Sequence, residues 1–168
     1  LASSYQNGST SYFYGTDYND EIIGTTGDDV IESFSGYDTI VGGAGNDTYI
    51  LGPNYTQDSL WWYDLNGHLY TEGWDAIDSY DSTGGVDTLQ IEYDTSVYNK
   101  EAISLTRNGY TLELHYGNGK GVSILNWFLG GDYQTIGTFE FSDGTVWTSD
   151  FVNSMINAAP TVAAPIED

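Results

Sequence analysis

Residues 15–50 read GTDYNDEII, GTTGDDVIE, SFSGYDTIV and GGAGNDTYI, four nonapeptides in a row. The sixth place of each is an aspartate (Asp20, Asp29, Asp38, Asp47) and the eighth is apolar (Ile22, Ile31, Ile40, Tyr49). Six residues rich in Gly, Asp and Asn favour turns and positive φ, and the three that follow alternate outward, inward, outward as a short strand does. Each unit is therefore a turn plus a minimal strand. One inward side chain makes no core, so successive units must coil and stack, with the eighth-place residues filling a thin interior. Loops two units apart then share an edge, Asp20 with Asp38 and Asp29 with Asp47, on strands only about 4.8 Å apart. Carboxylates that close repel unless a cation lies between them.

Aspartate carboxylates and the carbonyls of tight glycine loops offer oxygen alone, which suits a hard, flexibly coordinated cation, Ca²⁺ ahead of Mg²⁺ or a transition metal. With no Cys and two His, zinc and iron centres are excluded as readings. The candidate ligands are Asp20, Asp29, Asp38 and Asp47, with Gly24, Thr26, Gly27 and Asp28 of the second loop and Gly42, Ala44, Gly45 and Asn46 of the fourth. Two well-formed sites are expected, one joining the loops of Asp29 and Asp47 and one those of Asp20 and Asp38. One to three more are expected in looser turns around Asp58, Asp75 and Asp87.

The pattern resembles the GGxGxDxUx repeat of RTX, or haemolysin-type, calcium-binding proteins. The motif is complete in Gly42, Gly43, Gly45 and Asp47 and nearly so in Gly24, Gly27 and Asp29. It departs at Tyr18, where a glycine is expected, and at Ser33 and Phe34, which replace the glycine pair of the third loop. The resemblance implies a parallel β-roll with calcium between stacked turns, usually in a protein exported by a type I system. The second half of the chain, ending in FSDGTVW at 141–147, is similar to the domain that often follows RTX repeats.

Composition agrees with a cation-dependent chain. Against 25 Asp and Glu stand three basic residues, Lys100, Arg107 and Lys120, for a net charge of -22 over 168 residues. Such charge excludes nucleic acid as a partner, disfavours anionic membrane surfaces and opposes compaction. No apolar run reaches membrane-spanning length. The chain opens on Leu1 with no charged-then-apolar leader, which reads as a piece excised from something larger, secreted or displayed on a bacterial surface.

Residues 1–14 are expected to form a strand capping the first turn, and 15–91 the roll. Within the roll, 53–61 reads as a degenerate turn carrying Asp58 and Leu60, 62–72 as an inserted loop, and 73–77 and 85–89 as further turns around Asp75 and Asp87. From 92 to 157 a β cap is expected: a hairpin with a type I′ signal at Asn108–Gly109, strands at 122–126 and 138–142, and a short helix over 151–156 capped by Thr148, Ser149 or Asp150. Residues 158–168 read as a Pro/Ala linker to a following domain. The fold class is all-β, a parallel β-roll capped by antiparallel strands and one short helix.

Trp61, Trp62 and Tyr63, with Trp74, form either a sugar-stacking platform or a cover for the open end of a thin roll. Trp127 and Phe128 read as core. There is no Gly-x-Ser-x-Gly elbow, no His-Glu-x-x-His and no phosphate loop, and His68 and His115 are isolated, so the chain is not read as an enzyme. Three functions are open at this point: a calcium-ordered structural module, a carbohydrate or cell-surface binding module, and an accessory domain of a secreted hydrolase. Its expected partners are several calcium ions, neighbouring domains of the same chain, a surface glycan in the second reading, and a second acidic copy if calcium bridges the two.

Overall fold

The computed structural model of the protein describes residues 3–51, 74–91, 103–115 and 121–158. The degenerate turn, the inserted loop and most of the linker lie outside the described residues. The chain opens with a hairpin rather than one cap strand: β1 (Ser3–Asn7) runs antiparallel to β2 (Thr10–Thr16). Gly8, at φ 67, supplies the left-handed residue that folds the segment back on itself.

Beyond β2 the nonapeptides behave as their cadence requires. Each contributes one strand, and successive strands alternate between two sheets. β4 (Asp29–Phe34), β6 (Thr48–Leu51) and β8 (Asp87–Ile91) follow β2 in parallel in one sheet. β3 (Glu21–Ile23), β5 (Thr39–Val41) and β7 (Trp74–Asp78) run parallel in the other. The registers stack like upon like. Phe13, Ile31, Tyr49 and Leu89 form one ladder, and Ile22, Ile40 and Ile77 face it from the opposite sheet. Apart from Phe13, which is half-buried, these side chains are at most 1% exposed, so the interior is a single layer of paired rungs.

The region expected to be an antiparallel cap does more than cap. β9 (Ser104–Asn108) and β10 (Thr111–His115) form the expected hairpin, but Asn108 pairs with Thr111 and the two-residue loop is Gly109–Tyr110. Only Gly109 has positive φ there, as a type II′ rather than a type I′ turn requires. β11 (Gly121–Ile124) then pairs antiparallel with β10 and parallel with β7, and β12 (Ile136–Phe141) runs parallel to β8. Together β11 and β12 add another coil to the roll. Ile124 extends the ladder beyond Ile77, and Phe139 extends the other beyond Leu89. Between them lie two 3₁₀ turns, Trp127–Leu129 and Gly131–Tyr133.

The C-terminus closes with β13 (Val146–Thr148), antiparallel to β12, and α1 (Ser149–Ala158). Thr148 caps the helix by accepting the Phe151 N–H at 3.2 Å. Val152 enters the core, and the fully buried Trp127 donates its indole N–H to Asn153 Oδ1 at 2.9 Å. Phe128 is half-buried beneath the Arg107 guanidinium, 4.4 Å from its ring centre. The finished sheets read β1-β2-β4-β6-β8-β12-β13 and β3-β5-β7-β11-β10-β9.

Candidate metal centre

The sixth-place aspartates stand where the chain crosses from one sheet to the other, and the parallel register stacks them in two columns. On one edge the Asp20 N–H donates to Asp38 Oδ1 at 2.8 Å, and the Asp38 N–H to Asp75 Oδ1 at 2.9 Å. On the other the Asp29 N–H donates to Asp47 Oδ1 at 3.0 Å, and the Asp47 N–H to Asp87 Oδ1 at 2.9 Å. One oxygen of each acceptor thus stitches neighbouring coils together. What meets the second oxygen of each aspartate differs along the columns.

Early in each column the loop itself supplies that partner. Asp20 Oδ2 accepts both the N–H and the hydroxyl of Thr16, at 2.6 and 2.7 Å, and Asp29 Oδ2 accepts the Thr25 N–H at 2.5 Å and its hydroxyl at 3.0 Å. Asp38 and Asp47 have no such threonine. Both are 1% exposed, and among the described residues Asp38 Oδ2 and Asp47 Oδ2 have no hydrogen-bond partner. Burial pushes each carboxyl up to about 7; the charges of Asp75 and Asp20 add to the effect on Asp38, and chiefly that of Asp87 to the effect on Asp47. A buried anion without a donor is costly, and a cation is the remedy that leaves the charge in place.

Backbone oxygens face the carboxylates of Asp20, Asp29 and Asp81 in the same columns. A Cβ on Gly24 would strike both Gly42 O and Asp29 Oδ2, one on Gly15 would meet Ser33 O and Asp20 Oδ2, and one on Gly85 would meet Gly45 O and Asp81 Oδ2. The glycines therefore keep room in which a carbonyl of one loop and a carboxylate of the next face each other. No three acidic or imidazole side chains form a ready cage among the described residues. One or two carboxylates together with loop carbonyls would hold an ion here, an oxygen-only set that suits Ca²⁺ and not Zn²⁺.

Residues 14–49 match the family model of the RTX calcium-binding nonapeptide repeat (4 copies), and residues 112–150 match that of the haemolysin-type calcium binding protein related domain. The chain carries RTX repeats. The cation their geometry suits is accordingly calcium, and the chain is a calcium-binding structural module. No curated protein matches the chain.

Within the RTX repeats the other sequence-predicted residues fall on the two edges. Gly24, Thr26, Gly27 and Asp28 form one loop and Gly42, Ala44, Gly45 and Asn46 the loop stacked on it. Asp28 Oδ1 accepts the Asn46 N–H at 2.8 Å, and Asn46 Oδ1 accepts the Val86 N–H at 3.0 Å, so the fifth-place side chains make a second, outer set of ties. Asp75 and Asp87 sit in line with the repeat aspartates, whereas Asp58, Trp61, Trp62 and Tyr63 lie outside the described residues. Trp74 is half-buried: its ring lies over Gly121, meets His115 edge-on at 4.7 Å and donates its N–H to Ser123 Oγ at 2.7 Å.

Where the third loop departs from the motif, the departures have local consequences. Phe34 takes φ 64 where the fourth loop has Gly43 at φ 105, and its ring stacks on Tyr14 with centres 6.3 Å apart. Ser33 is wholly buried and donates its hydroxyl to Asp75 Oδ2 at 3.2 Å. Asp81, which no sequence signal singled out, closes the last loop of the opposite column. Although burial pushes its carboxyl up, hydrogen bonds from Thr83, Gly85 and Gly45 hold it below the usual range. Thr16 and Thr25 were legible only as the shared second residue of the first two nonapeptides.

Proposed function

We propose that this chain folds as calcium binds and stiffens a segment of a large exported surface protein or adhesin, of the kind that leaves the cell by a type I system. The observation that carries the reading is the pair of buried carboxylate oxygens, Asp38 Oδ2 and Asp47 Oδ2, which have no hydrogen-bond partner among the described residues. Without calcium these groups, and a net charge of -22, oppose the coil. Extracellular modules bind calcium with Kd of about 10⁻⁴ to 10⁻³ M. One site at tenfold excess contributes about 1.4 kcal/mol to folding, so several together rival a large part of a domain's stability of about 5 to 15 kcal/mol. In a calcium-poor interior that contribution is absent, and the chain is extended and ready for export; outside, it coils.

The test is a calcium titration followed by far-UV circular dichroism, with magnesium as control and an Asp29→Ala, Asp47→Ala double variant alongside. A coil-to-β transition at roughly 0.1 to 1 mM calcium, absent with magnesium and weakened in the variant, is the expected result. A chain fully folded in chelator overturns the proposal.

A further inference from the structure

Among the described residues the two sheets leave four edge strands, β1 and β13 in one and β3 and β9 in the other. An open edge invites pairing with another chain, and folded proteins blunt theirs with short strands, charges or a covering element. Three of the four are blunted in this way. β3 and β13 are three residues long; β3 carries Glu21, and β13 runs directly into α1. β9 carries Arg107 and packs against α1. β1 is different: its five residues, Ser3–Asn7, are all exposed, with no charge, no proline and an unbroken register against β2.

That edge is also the neutral part of a very acidic chain. Residues 1–16 hold no charged side chain, and all 25 Asp and Glu lie from Asp17 onward. Tyr5, the middle residue of β1, stands on the outer face of the sheet. Its ring lies 4.7 Å from that of Tyr12, with the planes 4° apart, and 6.0 Å from that of Tyr14. The shorter separation is the strand spacing, so the stack runs across the strands, from Tyr12 on β2 to Tyr5 on β1. The next place in it lies beyond the free edge, and Tyr5 is 52% exposed. On the opposite face of β1 stand Ser4 and Gln6, both polar, so the overhanging strand needs no core beneath it.

We propose that two copies of this chain pair through β1, antiparallel, about a two-fold axis at Tyr5. Because Tyr5 is central in the strand, that axis sets Tyr5 against its counterpart, Ser4 against Gln6 and Ser3 against Asn7, so one register serves both chains. The ring stack then runs unbroken through Tyr12 and Tyr5 of each copy. Charge favours a second copy as the occupant. A basic partner would be drawn to the acid-rich loops, whereas a neutral strand is what a chain of net charge -22 needs in order to approach its like. The contact differs from acidic surfaces bridged by calcium, since no ion takes part in it. With five residues a side it is small, so the dimer is weak and depends on concentration.

The experiment is sedimentation equilibrium of the whole chain in saturating calcium, over a wide range of concentration, for wild type, Tyr5→Glu and Tyr110→Glu. Tyr110, equally exposed at the loop between β9 and β10, is the control. Wild type and Tyr110→Glu are expected to pass from the mass of one chain to that of two as concentration rises. Tyr5→Glu sets like charges face to face across the axis and is expected to stay at one. A wild type that is monomeric throughout overturns the proposal and leaves the edge to a strand of another protein. A dimer that survives Tyr5→Glu, or one that both variants lose, overturns it too. Should Tyr5→Glu fail to fold by circular dichroism, cross-linking decides. The chain has no cysteine, so Tyr5→Cys brings two thiols to facing positions with Cα atoms about 4.5 to 5.5 Å apart, within disulfide reach, whereas Asn7→Cys holds them apart on either side of the axis. A covalent dimer that forms faster in Tyr5→Cys than in Asn7→Cys supports the pairing, and equal rates overturn it.

Discussion

Ile40 offers the sharpest link between packing and calcium. It is wholly buried in mid-ladder, with Ile22 on one side and Ile77 on the other. Truncating a buried isoleucine to alanine costs about 2 to 5 kcal/mol, more where the surroundings cannot collapse into the space. Here the neighbouring rungs are held at strand spacing by hydrogen bonds on both sides, so we take about 3 kcal/mol for Ile40→Ala. If folding and ion uptake are one process, the loss is read as a shift in the calcium midpoint. Each tenfold rise in free calcium supplies about 1.4 kcal/mol per bound ion, so the midpoint should rise about tenfold for two coupled ions and about three- to fourfold for four. The assay is circular dichroism against buffered free calcium for wild type and Ile40→Ala. Ile23→Ala, at a residue 61% exposed on the same sheet, serves as control. The size of the shift also reports the number of coupled ions. A midpoint moved less than twofold, with both proteins equally β-rich at saturation, would refute the coupling of core to cation; so would a control that moves as far as the variant.

Two further outcomes follow from the loops. In chelator the folded chain keeps Asp38 and Asp47 protonated up to about pH 7, against an ordinary value of 3.8, so between those limits the folded state holds more protons than the unfolded one. Stability of the ion-free chain is therefore fully present below the ordinary carboxyl range and lost as pH rises through about 7. In chelator, circular dichroism should therefore show residual β content near pH 5 that falls away by about pH 8, where the ion-free chain is coil, and that calcium restores; β content that climbs with pH in chelator contradicts the assignment. Gly42→Ala would set a methyl group against Tyr49 Oη and Asp47 Oδ2, whereas Gly109→Ala meets nothing within 4 Å and suffers only its φ of +61°. Calorimetry should show weakened calcium binding in the first and near-native affinity in the second; equal affinities argue that the space beside Gly42 holds no ion.

The coil was legible because two signals coincide in every unit. Aspartate at the sixth place sets the crossing and an apolar residue at the eighth sets the rung, which is why Asp75-Ala76-Ile77 and Asp87-Thr88-Leu89 could be recognised as turns after the nine-residue spacing had been lost. The coil of β11 and β12 was illegible for the converse reason. Ile136 stands opposite Asp87, so no acidic residue marks the crossing, Gly137 lies where the pairing register shifts, and the loop before them is built from two 3₁₀ turns around Gly130 and Gly131 rather than from the nonapeptide pattern. β2 was hidden likewise, since Phe13 is a rung with no acidic crossing ahead of it. At the centre itself, spacing alone put Asp20 with Asp38 and Asp29 with Asp47. It could not distinguish Asp20 and Asp29, satisfied by their own threonines, from Asp38 and Asp47, which depend on side-chain environment rather than on period.

One consequence of the ladder concerns the chain between its rungs. Strand β6 ends at Leu51 in one sheet and β7 begins at Trp74 in the other, yet Ile40 pairs in register with Ile77 and Tyr49 with Leu89 just as Ile22 does with Ile40 and Ile31 with Tyr49, eighteen residues apart. Register is kept by neighbours across the sheet and is indifferent to the length of the excursion that joins them. A scaffold with that property accepts foreign sequence at one edge without renegotiating its core, which makes the interval between Leu51 and Trp74 the natural place to graft a loop for display.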